Sequence, residues 1–346
     1  MGLIKKVFSW SHDGAFDYLS VNPTRDEVAH YKVDPEDESD ESIVRLNTIK
    51  DFGSITCLDY SQSDIGIVGV GEKNGILRLF NIISNGSEYD DFDLRVRAKQ
   101  QRSINSLGIN NNGLIAMGLD RSKQDASLQV WDINYQSTDS NIVNPSFSYC
   151  PNESIVSLKF SDDTSILAAT TKFLKELDLR APSPVYQHPT RLTYDIKINP
   201  FNCWQFATYG DDGTLAIWDR RKLSTSSNST DYLETQPLLK FDKLVGPGAA
   251  SRKYMNSCFR WSALRGEEFA TLHGGEAIKR WRLGIVPLSE TKEDATFTES
   301  RTEGSENISA ASYKGVESLF VSTVHDIKTT FDRVVTFDYI PKESGE

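Results

Sequence analysis

Apolar and polar positions alternate at period two in short runs along most of the chain, the pattern of half-buried strands. The runs are broken by clusters of Asn, Asp, Gly and Ser, which favour turns. The clearest stretch is TYDIKINPFNCWQFATYGDDGTLAIWDRR, residues 193–221. It reads as three strands, with Asp212-Gly213 between the second and third. Both residues tolerate positive φ, as a tight hairpin requires. Looser copies lie at 55–82, with Asn74-Gly75 at the hairpin, at 104–133, at 155–180 and at 255–283. Degenerate copies begin at Val7 and at Ser318.

Each copy carries a marker near the end of its third run: Tyr31, Phe80, Trp131, Leu177, Trp218, Trp281 and Phe337. Polar stretches account for the longer intervals between markers. They are the acidic run 34–41 with six acids, the Ser/Thr tract 224–230, and the Glu/Thr/Ser-rich segment 286–307. Without them the unit is about 40–45 residues, the size of a four-stranded propeller blade. Seven markers predict an all-β, seven-bladed β-propeller occupying 1–346 as one domain, with those three stretches as loops. Radial stacking buries both faces of each sheet, and the third-strand aromatic fills the wedge between blades.

Val130-Trp131-Asp132, Ile217-Trp218-Asp219 and the Gly210–Gly213 turn resemble WD repeats. The Gly-His start usual in such repeats is absent, so the resemblance does not carry over their His–Asp network. The Gly118-Leu119-Asp120 insert, followed by Leu177-Asp178-Leu179-Arg180 and Ala216-Ile217-Trp218-Asp219, is similar to the N-terminal propeller of the Mio (missing-oocyte) family. That resemblance covers most of 55–283. It implies a subunit of the Seh-associated (SEA) complex, called GATOR in animals, which acts at the vacuole or lysosome. The implied role is non-catalytic: positive regulation of target-of-rapamycin signalling by amino acids, and through it autophagy. It further implies partners that include propeller proteins of the Seh and Sec-thirteen type. Peripheral membrane association would come through the complex. A helical solenoid and a zinc-binding domain would follow, and the chain ending at Glu346 is expected to be the N-terminal part of a longer protein.

Composition narrows the chemistry. With 49 Asp+Glu against 38 Lys+Arg, the net charge of −11 argues against a general nucleic-acid binder. The four cysteines, Cys57, Cys150, Cys203 and Cys258, have no C-x-x-C spacing, which excludes zinc-ribbon and RING-type sites within the chain. The N-terminus lacks the apolar stretch of a secretory signal, so a cytoplasmic setting is expected and the sequons at Asn85, Asn152, Asn228 and Asn307 read as chance matches. Histidines are few, and no nucleophile elbow, Walker loop or dinucleotide motif is present. No cofactor, metal or catalytic residue is expected. His273 and His325 would be the residues to test on an enzymatic reading.

One basic cluster, Arg95, Arg97, Lys99 and Arg102, has two readings. It is either a solvated outer strand, alternating with Leu94, Val96 and Ala98, or a docking patch for an acidic partner or anionic lipid. Trp10, Trp204 and Trp261 read as packing residues; one exposed at the rim would be a binding hot spot. A different class of scaffold, a vesicle-coat adaptor or a ubiquitin-ligase substrate receptor, also fits a propeller. A phosphodegron receptor would need a ring of Arg and Lys, which this single cluster does not supply.

Overall fold

In a computed structural model, the described residues are 3–8, 16–22, 25–34, 43–61, 67–81, 94–133, 144–223, 236–242, 259–273, 277–286, 298–301, 307–310, 318–327, 337 and 339. They form antiparallel strands arranged in six sheets and no α-helix. The chain divides into two compact units. The first comprises 1–171, 175–185 and 340–346, and the second 172–174 and 186–339.

The first unit holds four blade-like sheets. The first is β1 (Leu3–Phe8), β2 (Phe16–Asn22), β3 (Glu27–Val33) and β4 (Ile43–Ile49), in that order across the sheet. The second is β5 (Ile55–Tyr60), β6 (Ile67–Glu72), β7 (Ile76–Asn81) and β8 (Leu94–Arg97). The third is β9 (Ile104–Ile109), β10 (Leu114–Leu119), β11 (Ala126–Asp132) and β12 (Phe147–Pro151). The fourth carries β13 (Ile155–Phe160), β14 (Ser165–Thr170) and β15 (Phe173–Asp178).

The reason for this stacking is visible in the second strands. β6 (IVGVGE) and β14 (SILAAT) are buried at every position, so neither face meets water. Gly69 and Gly71 alternate with Val68 and Val70 in β6, and β14 carries small Ala168 and Ala169, which lets neighbouring sheets approach closely. Apolar clusters accordingly lie between consecutive sheets. Leu19, Val28, Val68 and Phe80 join the first to the second. Leu77, Leu79, Leu107, Met117 and Trp131 join the second to the third. Val130, Ile155, Leu158 and Leu177 join the third to the fourth.

The second unit opens with β16 (Tyr186–Pro189) and contains two further sheets. One is built on β17 (Thr193–Asn199), β18 (Asn202–Gly210), β19 (Leu215–Asp219) and β20 (Leu239–Phe241). The other is built on β21 (Phe259–Trp261), β22 (Glu268–His273) and β23 (Ala277–Val286). The chain then returns as a hairpin, β24 (Thr298–Arg301) and β25 (Asn307–Ala310), which adds to the edge of β20 with Phe241 opposite Ile308. Finally β26 (Ser318–Ile327) pairs with β23. An aromatic cluster of Phe241, Phe259, Trp261, Phe269 and Trp281 fills the space between these two sheets.

Two expectations are corrected here. The described residues give six blades, not seven. The degenerate copy beginning at Ser318 supplies only β26, the outer strand of the sixth sheet, and Phe337 lies outside any strand. β26 shows why: from Ser322 to Ile327 every residue is exposed, so its apolar residues are not the inner strand of another blade. The segment 286–307, read as loop, holds β24 and the first residue of β25. Buried Ile308 joins that hairpin to the aromatic cluster, an apolar contact that a polar composition hides. The tract 224–230 and the acidic run beyond Asp34 lie outside the described residues.

Candidate interaction surfaces

The other six repeat markers, Tyr31, Phe80, Trp131, Leu177, Trp218 and Trp281, all stand on the third strand of their sheets. Trp131 and Trp281 are fully buried and Trp218 nearly so. The last two repeat one arrangement. Trp218 faces Phe206 across the hairpin and donates its indole N–H to Thr208 Oγ1 at 2.8 Å. Trp281 faces Phe269 and donates to Thr271 Oγ1 at 2.7 Å. Thr271 Oγ1 lies 2.7 Å from His273 Nε2, so His273 extends a Trp–Thr–His chain and serves packing. His325 is exposed on β26. The Trp218 and Trp281 indoles are thus buried with satisfied N–H groups, as packing residues are expected to be.

Two of the Asp residues that end third strands clamp the chain behind them. Asp219, whose side chain is fully buried, accepts from the Arg221 backbone N–H at 2.9 Å and pairs with its guanidinium at 2.6 Å. Asp178 makes the same contacts with Arg180, 2.9 and 2.6 Å. The Arg180 bonds hold the Asp178 carboxyl down at a pKa of about 2. Asp132 ends β11 in the same place. Asp212 and Gly213 form the predicted hairpin: Asp212 Oδ1 accepts from Thr214 N at 3.0 Å and Gly213 adopts φ of 77°. At the equivalent turn Gly75 has φ of 83°, and a Cβ there would lie 2.5 Å from the Arg102 carbonyl oxygen.

The basic cluster divides. Arg95, Arg97 and Lys99 are exposed, while Val96 and Ala98 between them are buried, so β8 is an outer strand with a cationic edge. Arg102 belongs elsewhere, being 8% exposed. Its guanidinium pairs with Asp125 at 2.7 Å and donates to the carbonyls of Asp120 and Ala126, both at 2.9 Å. Burial lowers its pKa, and Asp125 and Asp120 oppose that shift. Arg102 thus pins the insert after Gly118-Leu119-Asp120 to the segment entering β9 and is not part of the exposed row.

One feature had no place in the sequence reading. On the first strands of the second and fourth sheets, Asp59 and Lys159 meet at 2.8 Å, and Asp59 also accepts from Ile109 N on the first strand of the sheet between them, at 3.2 Å. The signal was positional: Asp59 and Lys159 are the penultimate residues of equivalent strands. In the second unit Trp204, expected as a packing residue, is instead 47% exposed, with Arg220 and Arg221 over its ring, 5.9 and 5.8 Å from the centroid. Trp261 is buried, and Trp10 lies outside the described residues. Among the described residues no group of His, Cys, Asp and Glu has the arrangement of a metal site, and no helix is long and apolar enough to cross a membrane.

Over 393 aligned positions, the chain is 57% identical to SEH-associated protein 4 of Saccharomyces cerevisiae, covering 100% of this chain and 37% of that protein. The chain is a WD-repeat propeller related to SEH-associated protein 4. It therefore spans little more than a third of that relative's length. An uncharacterized WD repeat-containing protein of Schizosaccharomyces pombe is 24% identical over 221 residues, which is 63% of this chain and 23% of that protein. No protein-family model matches the chain.

Proposed function

We propose that the chain is a non-catalytic interaction module, and that the longer protein to which it corresponds is a scaffold subunit of an SEA/GATOR-type complex. The observation that carries this reading is the 57% identity to SEH-associated protein 4 across the full length of the chain. In this reading residues 1–346 act as one binding domain, and a solenoid and zinc-binding region follow in the longer protein. The partners are an Seh-type propeller protein and, more specifically, one of the Sec-thirteen type. The complex sits peripherally on the vacuole or lysosome and promotes target-of-rapamycin signalling when amino acids are present.

Blades fit this role because their cores are closed by packing while turns and outer strands remain available for recognition. The exposed row Arg95, Arg97 and Lys99 is proposed as a docking patch for an acidic partner, without Arg102. Affinity purification of the tagged full-length protein from its own cells, followed by mass spectrometry, tests the assignment. An Seh-type propeller should co-purify in stoichiometric amount. A full-length protein that sediments alone as a monomer in extract would end the complex-subunit reading.

A further inference from the structure

The turn between β17 and β18 and the turn between β21 and β22 meet at the surface of the second unit. Asn199 Nδ2 donates to the Gly266 carbonyl at 2.8 Å. Gly266 lies so close to Phe201 that a Cβ there would be 2.7 Å from the Phe201 Cβ. Around this junction three large apolar side chains stand in water: Phe201 at 56%, Trp204 at 47% and Leu264 at 50% exposure. Single exposed apolar residues are ordinary, but here Phe201 and Leu264 stand on two touching turns and Trp204 stands at the start of β18, three residues beyond Phe201.

The charges beside it are sorted by depth. Asp219 is fully buried against Arg221, and Glu268 is buried. Glu267 is half-buried, with Arg282 3.7 Å away. Among the cations here Arg221 and Arg265 are exposed and Arg220 and Lys222 half-buried, and Arg265 lies 3.9 Å from Glu268. In a chain of net charge −11 this is a local reversal of sign. Asp219 fixes Arg221 through Nε at 3.0 Å and Nη2 at 2.6 Å, and both Arg221 and Arg220 lie over the Trp204 ring. Stacked guanidiniums lose little further freedom on binding and present planar donors to carboxylates.

We propose that Phe201, Trp204 and Leu264 form a docking site for an acidic peptide segment bearing an aliphatic or aromatic anchor. The anchor packs on the exposed rings, and flanking carboxylates meet Arg220 and Arg265. Aromatic residues and Arg dominate the binding energy of protein interfaces, and here both are already positioned by the fold. The site is distinct from the Arg95–Lys99 row and goes beyond complex membership, needing only that the chain is an interaction module.

The test uses a fluorescein-labelled twelve-residue peptide, Asp and Glu flanking a central Leu-Phe pair, in an anisotropy titration of the purified chain. A counterpart with Lys in place of the acids is the control. The acidic peptide should bind saturably and the Lys peptide should not. Trp204→Ala and Arg220→Glu should each weaken binding at least tenfold, whereas Lys123→Glu, at an exposed position of the first unit, should stay within twofold. Bound peptide should also slow alkylation of Cys203, which is exposed and adjacent to Trp204. Unchanged melting midpoints verify that the variants are folded. Absence of saturable binding, or binding indifferent to Trp204 and Arg220, overturns the proposal. So does Trp204-dependent binding to phosphatidylserine vesicles with none to the peptide. Co-purification of an Seh-type partner is scored separately, so failure of one reading leaves the other intact.

Discussion

Replacing Arg102 by Met keeps its apolar stem and removes the guanidinium. Asp125, with a side chain 14% exposed, then loses its charge partner at 2.7 Å. Breaking a buried ion pair by deleting one member costs about 3–5 kcal/mol. Other donors soften the loss here. Asp125 keeps Gln129 Nε2 at 2.9 and 3.0 Å and its own contact with Ala126 N at 2.9 Å. The Asp120 carbonyl retains Ser127 Oγ at 3.2 Å, and the Ala126 carbonyl retains Gln129 Nε2 at 3.2 Å. The expected cost therefore lies at the low end, about 3 kcal/mol. Arg97→Met, on the exposed edge of β8, should stay within about 0.5 kcal/mol. Urea unfolding followed by tryptophan fluorescence measures both, because buried Trp131 reports on the sheet that Arg102 supports. The double variant Arg102→Met/Asp125→Leu should recover part of the loss by removing the stranded carboxylate. If Arg102→Met matched Arg97→Met, the buried clamp would be refuted and the four cations would again form one surface group.

Gly75→Ala should destabilise by about 2 kcal/mol or more, since φ of 83° is strained for any side chain and the Cβ would strike the Arg102 carbonyl; thermal melting measures this. Brief iodoacetamide treatment of the native chain should label Cys203 ahead of Cys57 and Cys150, as mapped by mass spectrometry. The first is exposed, the other two are buried, and burial pushes the Cys150 thiol up to about 11. The Asp178–Arg180 clamp predicts an acid-side pH dependence. A carboxyl whose folded pKa of about 2 lies below its unfolded value adds stability above the unfolded pKa, and that stability is lost as pH falls through the folded one. Asp178→Asn should thus be less stable than the parent at pH 6, and the gap should close between about pH 4 and pH 2 in urea titrations.

Period-two alternation, turn residues at Asn74-Gly75 and Asp212-Gly213, and a marker on every third strand made the blades legible from the sequence. These are local properties: strand faces and positive-φ turns are written in neighbouring residues. The WD-like tripeptides and the Asp-x-Arg ends pointed to the relationship with SEH-associated protein 4. What required the tertiary structure was everything that depends on which distant residues meet. The number of blades turned on whether β26 pairs with β23 or begins a new sheet, a choice its own alternation does not encode. Arg102 lies three residues from Lys99 and reads in sequence as one more cation of the same cluster, yet it is buried against Asp125 and Lys99 is exposed. Trp204 and Trp261 occupy similar places in their repeats, but only Trp261 lies inside the aromatic cluster between two sheets. Side-chain pattern fixes the strand; burial and charge pairing are decided by the neighbours that packing brings to it.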